Sequence, residues 1–163
     1  MVIRGGTVVN AAEISKCDVG IKDGRIVALG EKLDAGAEEI DATGKYVMPG
    51  GIDSHCHIDQ RSSGGGRNSE TFESGTRSAA CGGTTTIICF AAQEKGELLT
   101  PVVEEYHDKA KQSCIDYSFH LIISDPSDEV MHEEVPKLIK AGHRSLKLFM
   151  TYPRNRLNDA EIL

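Results

Sequence analysis

Thr84–Ala92, TTTIICFAA, is the stretch that decides the fold. It is β-branched and apolar throughout, with no polar residue at alternate positions beyond its opening threonines. A strand of that kind is buried on both faces, as in a parallel sheet covered by helices. Its flanks agree. Ser69–Ala80 reads as a helix with Phe72, Thr76, Ala79 and Ala80 on one face, ended by Gly82-Gly83. Downstream, Thr100 and Pro101 read as the N-cap and first position of a second helix, with Val102, Val103, Tyr106 and Ala110 inward.

The same rhythm extends both ways. Ile52–Ile58 reads as an earlier strand. CIDYSFHLIIS (Cys114–Ser124) and RSLKLFMTY (Arg144–Tyr152) read as later ones. Between these two, a helical stretch begins at Ser127, and Pro136 breaks or restarts it. LNDAEIL, capped by Asn158, opens a further helix. Four strand–helix units imply a parallel sheet. It is either an open doubly wound sheet or the first part of a closed (β/α)8 barrel. No GxGxxG or GxxxxGK[ST] follows a strand, so a nucleotide-binding reading has no support. GGGRN (Gly64–Asn68) reads as a flexible loop.

Residues 1–48 read differently, as all-β. MVIRGGTVVN is a short apolar run broken by Gly-Gly. DVGIKDGRIVALG is a hairpin turning at Asp23-Gly24, and IDATGKYVMPG adds a turn and a strand. With 163 residues, 39% hydrophobic and 26% charged, the composition is that of a globular chain. The net charge of −7 argues against partnership with nucleic acid or an anionic membrane. Cys17, Cys56, Cys81, Cys89 and Cys114 are scattered and contain no CxxC. They read as small core residues of a reduced, cytoplasmic protein without a signal segment or membrane span.

Two features carry chemistry. In PGGIDSHCHID (Pro49–Asp59), strand alternation points His55 and His57 one way, with Asp53 and Asp59, and Cys56 the other. At the C-terminal end of a barrel strand, two neutral imidazoles make a chelating pair for a divalent ion such as zinc. The bland alternative is a pair of hydrogen-bonded surface histidines. Lys147 lies inside an apolar run, which suggests a buried ammonium. Burial favours the neutral amine, which can add carbon dioxide and become a bidentate carbamate. The alternative is a lysine whose stem packs while its head reaches water.

PGGIDSHCHID, ETFESGTRSAACGGTTTIICF, IDYSFHLIISD and SLKLFMTY together resemble the dihydropyrimidinase/hydantoinase family of cyclic amidohydrolases, and the resemblance covers the chain. It implies an α/β fold: a partial (β/α)8 TIM barrel of four strand–helix units over residues 49–163, after part of a small β-sandwich domain at 1–48. It implies hydrolysis of a ring C–N bond in a dihydropyrimidine or 5-substituted hydantoin, giving an N-carbamoyl amino acid, as in pyrimidine catabolism. His55, His57 and carboxylated Lys147 would hold two zinc ions. Tyr152 would stabilise the oxyanion and bind substrate, and Phe149 would line the pocket for the ring substituent. Gln60–Ser69 would correspond to a substrate-gating loop. The full-length enzyme would be a homotetramer.

Dihydroorotases carry HxHxR, whose arginine holds a substrate carboxylate. Asp59 stands at that position and would repel one. An allantoinase-like hydrolase of cyclic ureides is an alternative, and so is a non-catalytic assembly module of the same fold. The family's further ligands, two histidines and an aspartate from later strands, are not expected within this chain. His120 reads as a core residue or one behind the site, and His143 as part of a turn. The 163-residue chain alone is therefore expected to have little or no activity.

Overall fold

The computed structural model describes residues 1–61 and 66–163. The chain divides into two compact units, Met1–Pro49 and Gly50–Leu163.

The first unit holds β1 (Val2–Arg4), β2 (Thr7–Val9), β3 (Ile14–Lys16), β4 (Asp18–Lys22), β5 (Arg25–Gly30), β6 (Glu39–Asp41) and β7 (Tyr46–Val47). They form two small sheets, ordered β5-β4-β1-β6 and β3-β2-β7. The hairpin turns at Asp23 and Gly24, both at positive φ (51° and 70°), as a tight two-residue turn requires. Asp18 is buried and well supplied with donors. It accepts from the Gly5 and Leu33 amides at 2.9 and 3.1 Å and from Arg4 Nη1 at 3.0 Å. The two backbone bonds hold its carboxyl below the ordinary value.

The second unit runs β8 (Gly51–Asp53), α1 (Phe72–Cys81), β9 (Thr84–Ala92), α2 (Leu99–Ala110) and β10 (Asp116–Ile122). A π-helical turn (Val130–Glu134), α3 (Val135–Lys140), β11 (Leu146–Lys147) and α4 (Asp159–Ile162) complete it. The four strands lie in the order β11-β10-β9-β8, all parallel. Each strand sits beside the next in sequence and the order never reverses. A doubly wound sheet has such a reversal; a barrel sheet does not. Of the two sequence-compatible architectures, the half-barrel is the one formed.

Alternation along β9 and β10 builds the core. Ile87, Cys89 and Ala91, with Phe119 and Leu121, are buried with Phe72, Leu99, Val102, Val103, Tyr106 and Ala110. Gly50 has a steric role: a Cβ there would collide with the Thr85 side chain. Among the described residues no helix is long and apolar enough to cross a membrane.

Several element ends differ from the sequence expectation. The first barrel strand stops at Asp53, not Ile58, because the Asp53 carboxylate accepts the His55 amide at 3.0 Å and turns the chain. The fourth is a two-residue strand. Beyond it, Tyr152 O accepts from the Asn155 and Arg156 amides around Pro153. Helix α1 starts at a Thr71 cap, in a reciprocal pair with Ser74, and Ala80 is exposed. Thr100 does not cap α2. The N-cap is Leu98, and buried Glu134 takes the Leu99 and Thr100 amides at 2.5 and 3.0 Å. Pro136 falls in the first turn of α3, where a missing N–H costs little, and the helix widens into the π turn just before it.

Glu134→Ala strips the α2 amides of their acceptor in a buried place and should cost about 1–3 kcal/mol, read as a lower urea midpoint. His107 and His143 face each other at 3.2 Å (Nε2 to Nε2), with the His107 ring against Phe119. Burial lowers both pKa values below the ordinary histidine value; the His107 charge lowers His143 further, while Asp108 partly offsets the fall at His107. A depressed histidine pKa means that the unfolded chain takes up protons first. Stability should therefore fall as pH drops from about 7.5 to 5.5, through the ordinary histidine value. His107→Phe should flatten that slope in urea titrations.

Candidate active site

Period-two alternation survives past the end of β8, although the strand does not. His55 and His57 face a cavity of about 580 Å³. Cys56 and Ile58 face the core, where Ile58 packs on α1 at Gly75, so close that a Cβ there would lie 2.9 Å from Ile58 Cδ1. What replaces the ladder is a floor and a set of side-chain bonds. The floor is Phe90 of β9. The His55 ring meets it edge-on at 4.7 Å, and the His57 ring stacks on it at 4.9 Å. The two imidazoles are 5.3 Å apart, centre to centre, at 71°.

The bonds fix orientation. His57 Nδ1 lies 2.6 Å from Gln60 Oε1. An amide oxygen only accepts, so Nδ1 carries the proton and Nε2 keeps its lone pair. Asn68 Nδ2 donates to the His57 carbonyl at 2.7 Å. His120, on β10 opposite Phe90, sits behind the pair. Its Nε2–H donates to the Ser54 carbonyl at 2.9 Å, its Nδ1 meets Ser145 Oγ at 2.6 Å, and its ring lies 5.0 Å from Phe90. His143 is in the turn after α3 and pairs with His107, away from the cavity.

Lys147 ends β11 and lines the same cavity, its Nζ 5.1 Å from the centre of the Phe149 ring. It is half-buried, not enclosed as its apolar neighbours suggested. Leu146 and Leu148 are themselves exposed, because β11 is the outer strand of this sheet. Phe149 and Tyr152 also line the cavity, their rings edge-to-face at 5.4 Å. All five residues expected at a site thus border one space. Asp53 and Asp59 are not among the lining residues: Asp53 turns the chain, and Asp59 accepts from Arg67 at 3.1 Å.

Sequence reasoning missed Phe90, Ala92, Gln93, Glu94, Arg154 and Asn155 in the lining, while Gln60, Arg61 and Asn68 fall within the Gln60–Ser69 stretch expected as a gating loop. Phe90 was discoverable, since it is two positions from Ala92 on the strand face opposite Cys89. Charge is largely paired off around the rim. Arg61 binds Glu97 at 2.8 Å and Glu105 at 2.5 Å, and Arg154 binds Glu94 at 3.2 Å. Glu105 also takes Arg67 and Lys109. Burial alone would raise its carboxyl, but the Lys109 bond and the surrounding cations hold it down at about 2. The Gln60–Ser69 loop expectation, with the GGGRN reading, lies partly outside the described residues, at 62–65.

The donor chemistry suits a divalent ion of zinc's borderline softness: two imidazoles, one with a free Nε2, and an amine able to become a carboxylate. Among the described residues no group of three or more His, Cys, Asp or Glu converges to hold a metal ion.

No protein-family profile matches the chain. A D-hydantoinase of Geobacillus stearothermophilus is 51% identical over 153 residues, which are 92% of this chain and 32% of that protein. A D-hydantoinase crystal structure superposes with a TM-score of 0.93 at 45% identity, over 99% of this chain and 35% of that one. A dihydropyrimidinase from Brevibacillus agri gives 0.92 at 42%, with the same coverage. The chain spans about a third of the length of the relatives it matches. By sequence and by fold, it is a homologue along its length of the D-hydantoinases and dihydropyrimidinases.

Proposed function

We propose that the complete protein hydrolyses a ring C–N bond of a cyclic amide or imide, a dihydropyrimidine or 5-substituted hydantoin, to an N-carbamoyl amino acid. The observation that carries this is the meeting of His55, His57, Lys147, Phe149 and Tyr152 around one cavity. The homology to D-hydantoinases supports it. Rim charge fits too: Arg61 and Arg154 are each matched by carboxylates, so the walls suit a neutral ring better than an anionic one.

In this reading residues 49–163 are the N-terminal half of a hydrolase barrel and 1–48 part of a β-sandwich domain. The protein works in the cytoplasm, as a homotetramer, in pyrimidine catabolism. Two zinc ions would be held by His55, His57 and Lys147, with further ligands from the rest of the complete protein. Bound there, they would polarise the ring carbonyl and lower the pKa of water. Lys147 would prepare its side chain by losing the ammonium proton, bonding its nitrogen to the carbon of carbon dioxide and releasing a second proton from that nitrogen to solvent, which yields an anionic carbamate with two oxygens. Gln60 keeps His57 in the tautomer whose Nε2 can ligate. Tyr152 donates its hydroxyl proton toward the oxygen that gains charge as the carbonyl is attacked. Phe149 gives the ring substituent an apolar wall.

Ring opening of hydantoin and 5,6-dihydrouracil by the full-length protein with zinc tests the reading, and absence of turnover on both would overturn it. Lys147→Ala should abolish activity and metal loading; two retained zincs per chain would count against its role as a ligand. Gln60→Ala frees the His57 ring and should weaken zinc binding by about 10-fold or more, measured by chelator competition.

A further inference from the structure

Cys56 and Cys89 are 33 positions apart, and no sequence spacing links them. The fold brings their Sγ atoms to 3.3 Å. Cys89 is fully buried on β9. Cys56 is half-buried and held to the same strand: its amide donates to the Ile88 carbonyl at 3.4 Å, and its thiol approaches that oxygen at 3.8 Å. The other cysteines are placed differently. Cys17 lies against the Ser15 hydroxyl and Cys114 against that of Thr76, while Cys81 is exposed. Among the described residues, this is the one pair of thiols in contact.

We propose that Cys56 and Cys89 are a modification site that closes into a reversible disulfide under oxidation, directly behind the two cavity imidazoles. An S–S bond is about 2.05 Å long, so closure from 3.3 Å needs a movement of about 1.2 Å. With hydrogen peroxide as oxidant, the Cys56 sulfur attacks the O–O bond, which breaks. Cys56 becomes a sulfenic acid and one water leaves. The Cys89 sulfur then displaces the hydroxyl from Cys56 as a second water, and the S–S bond forms. Two thiols have lost two hydrogens and two electrons, and one peroxide has become two waters. Cys56 is the sulfur a small oxidant reaches; Cys89, wholly enclosed, resolves it. The bond ties the segment carrying His55 and His57 covalently to β9. The disulfide depends on sulfur geometry alone and does not require the hydrolase reading.

The test uses the chain and a Cys17→Ser/Cys81→Ser/Cys114→Ser variant that leaves only the pair. Each is treated with hydrogen peroxide while folded, blocked with N-ethylmaleimide, digested and mapped by mass spectrometry. The expected result in both is a Cys56–Cys89 cross-linked peptide lighter by two hydrogens and released by dithiothreitol. In Cys89→Ser, Cys56 should instead run on to sulfinic acid. The proposal is overturned if both thiols are still alkylated after unfolding. It is equally overturned if Cys56 reaches sulfinic acid with Cys89 present, or if the Cys89→Ser change leaves the Cys56 product unaltered. None of these readouts depends on metal content or turnover, so failure here and failure of the hydrolase reading are separate results.

Discussion

The parallel ladder between β9 and β10 is the constraint on which the second unit depends. Its register runs unbroken from Asp116 opposite Thr86 to Ile122 opposite Ala92. That one alignment sorts side chains by parity. Cys89 and Phe119 go to the helices, while Phe90 and His120, also opposite each other, go to the other face. A slip of one residue would exchange the two sets. Phe90 would then join the helix layer, and the floor beneath His55 and His57 would be lost. Core and cavity are therefore two consequences of the same backbone pairing.

This explains which features were legible in the sequence. TTTIICFAA and the inward residues of α2 announce burial by their composition, because hydrophobic burial is non-directional and leaves a compositional trace. The strand–helix alternation follows, and with it a parallel sheet. Strand ends leave a weaker trace, since they are set by single polar bonds. Asp53 ends β8 by accepting one amide, and Glu134 caps α2 from 35 positions away. Thr100 has the residue type of a cap but not the place. Gln60 and Asn68 hold His57 through contacts that no periodicity encodes. The Cys56–Cys89 contact is equally hidden, because it arises only when the turn after β8 folds onto β9.

Lys147 shows a different limit. Its flanking leucines and phenylalanine suggested enclosure, but apolar neighbours in sequence bury a side chain only if another layer covers them. On the outer strand of a four-stranded sheet that layer is missing on one side, and Leu146, Leu148 and Met150 remain exposed. The amine is placed at the cavity by the β10–β11 register, Ile122 opposite Lys147, and not by desolvation. The short ladder alone fixes its position.

The two imidazoles follow the same logic. Had they lain within β8, ladder bonds would have oriented them. Because the chain turns at Asp53, their orientation rests on Phe90, on Gln60 and Asn68, and on the His120 bond to the carbonyl just before His55. These contacts come from β9, β10 and the segment that follows His57, and each is made by the chain itself. The pair is therefore preorganised by packing and hydrogen bonds, so the entropy of ordering it is met on folding. If an ion were bound there, its binding would have to supply ligand exchange, not the folding of the turn that carries the two imidazoles.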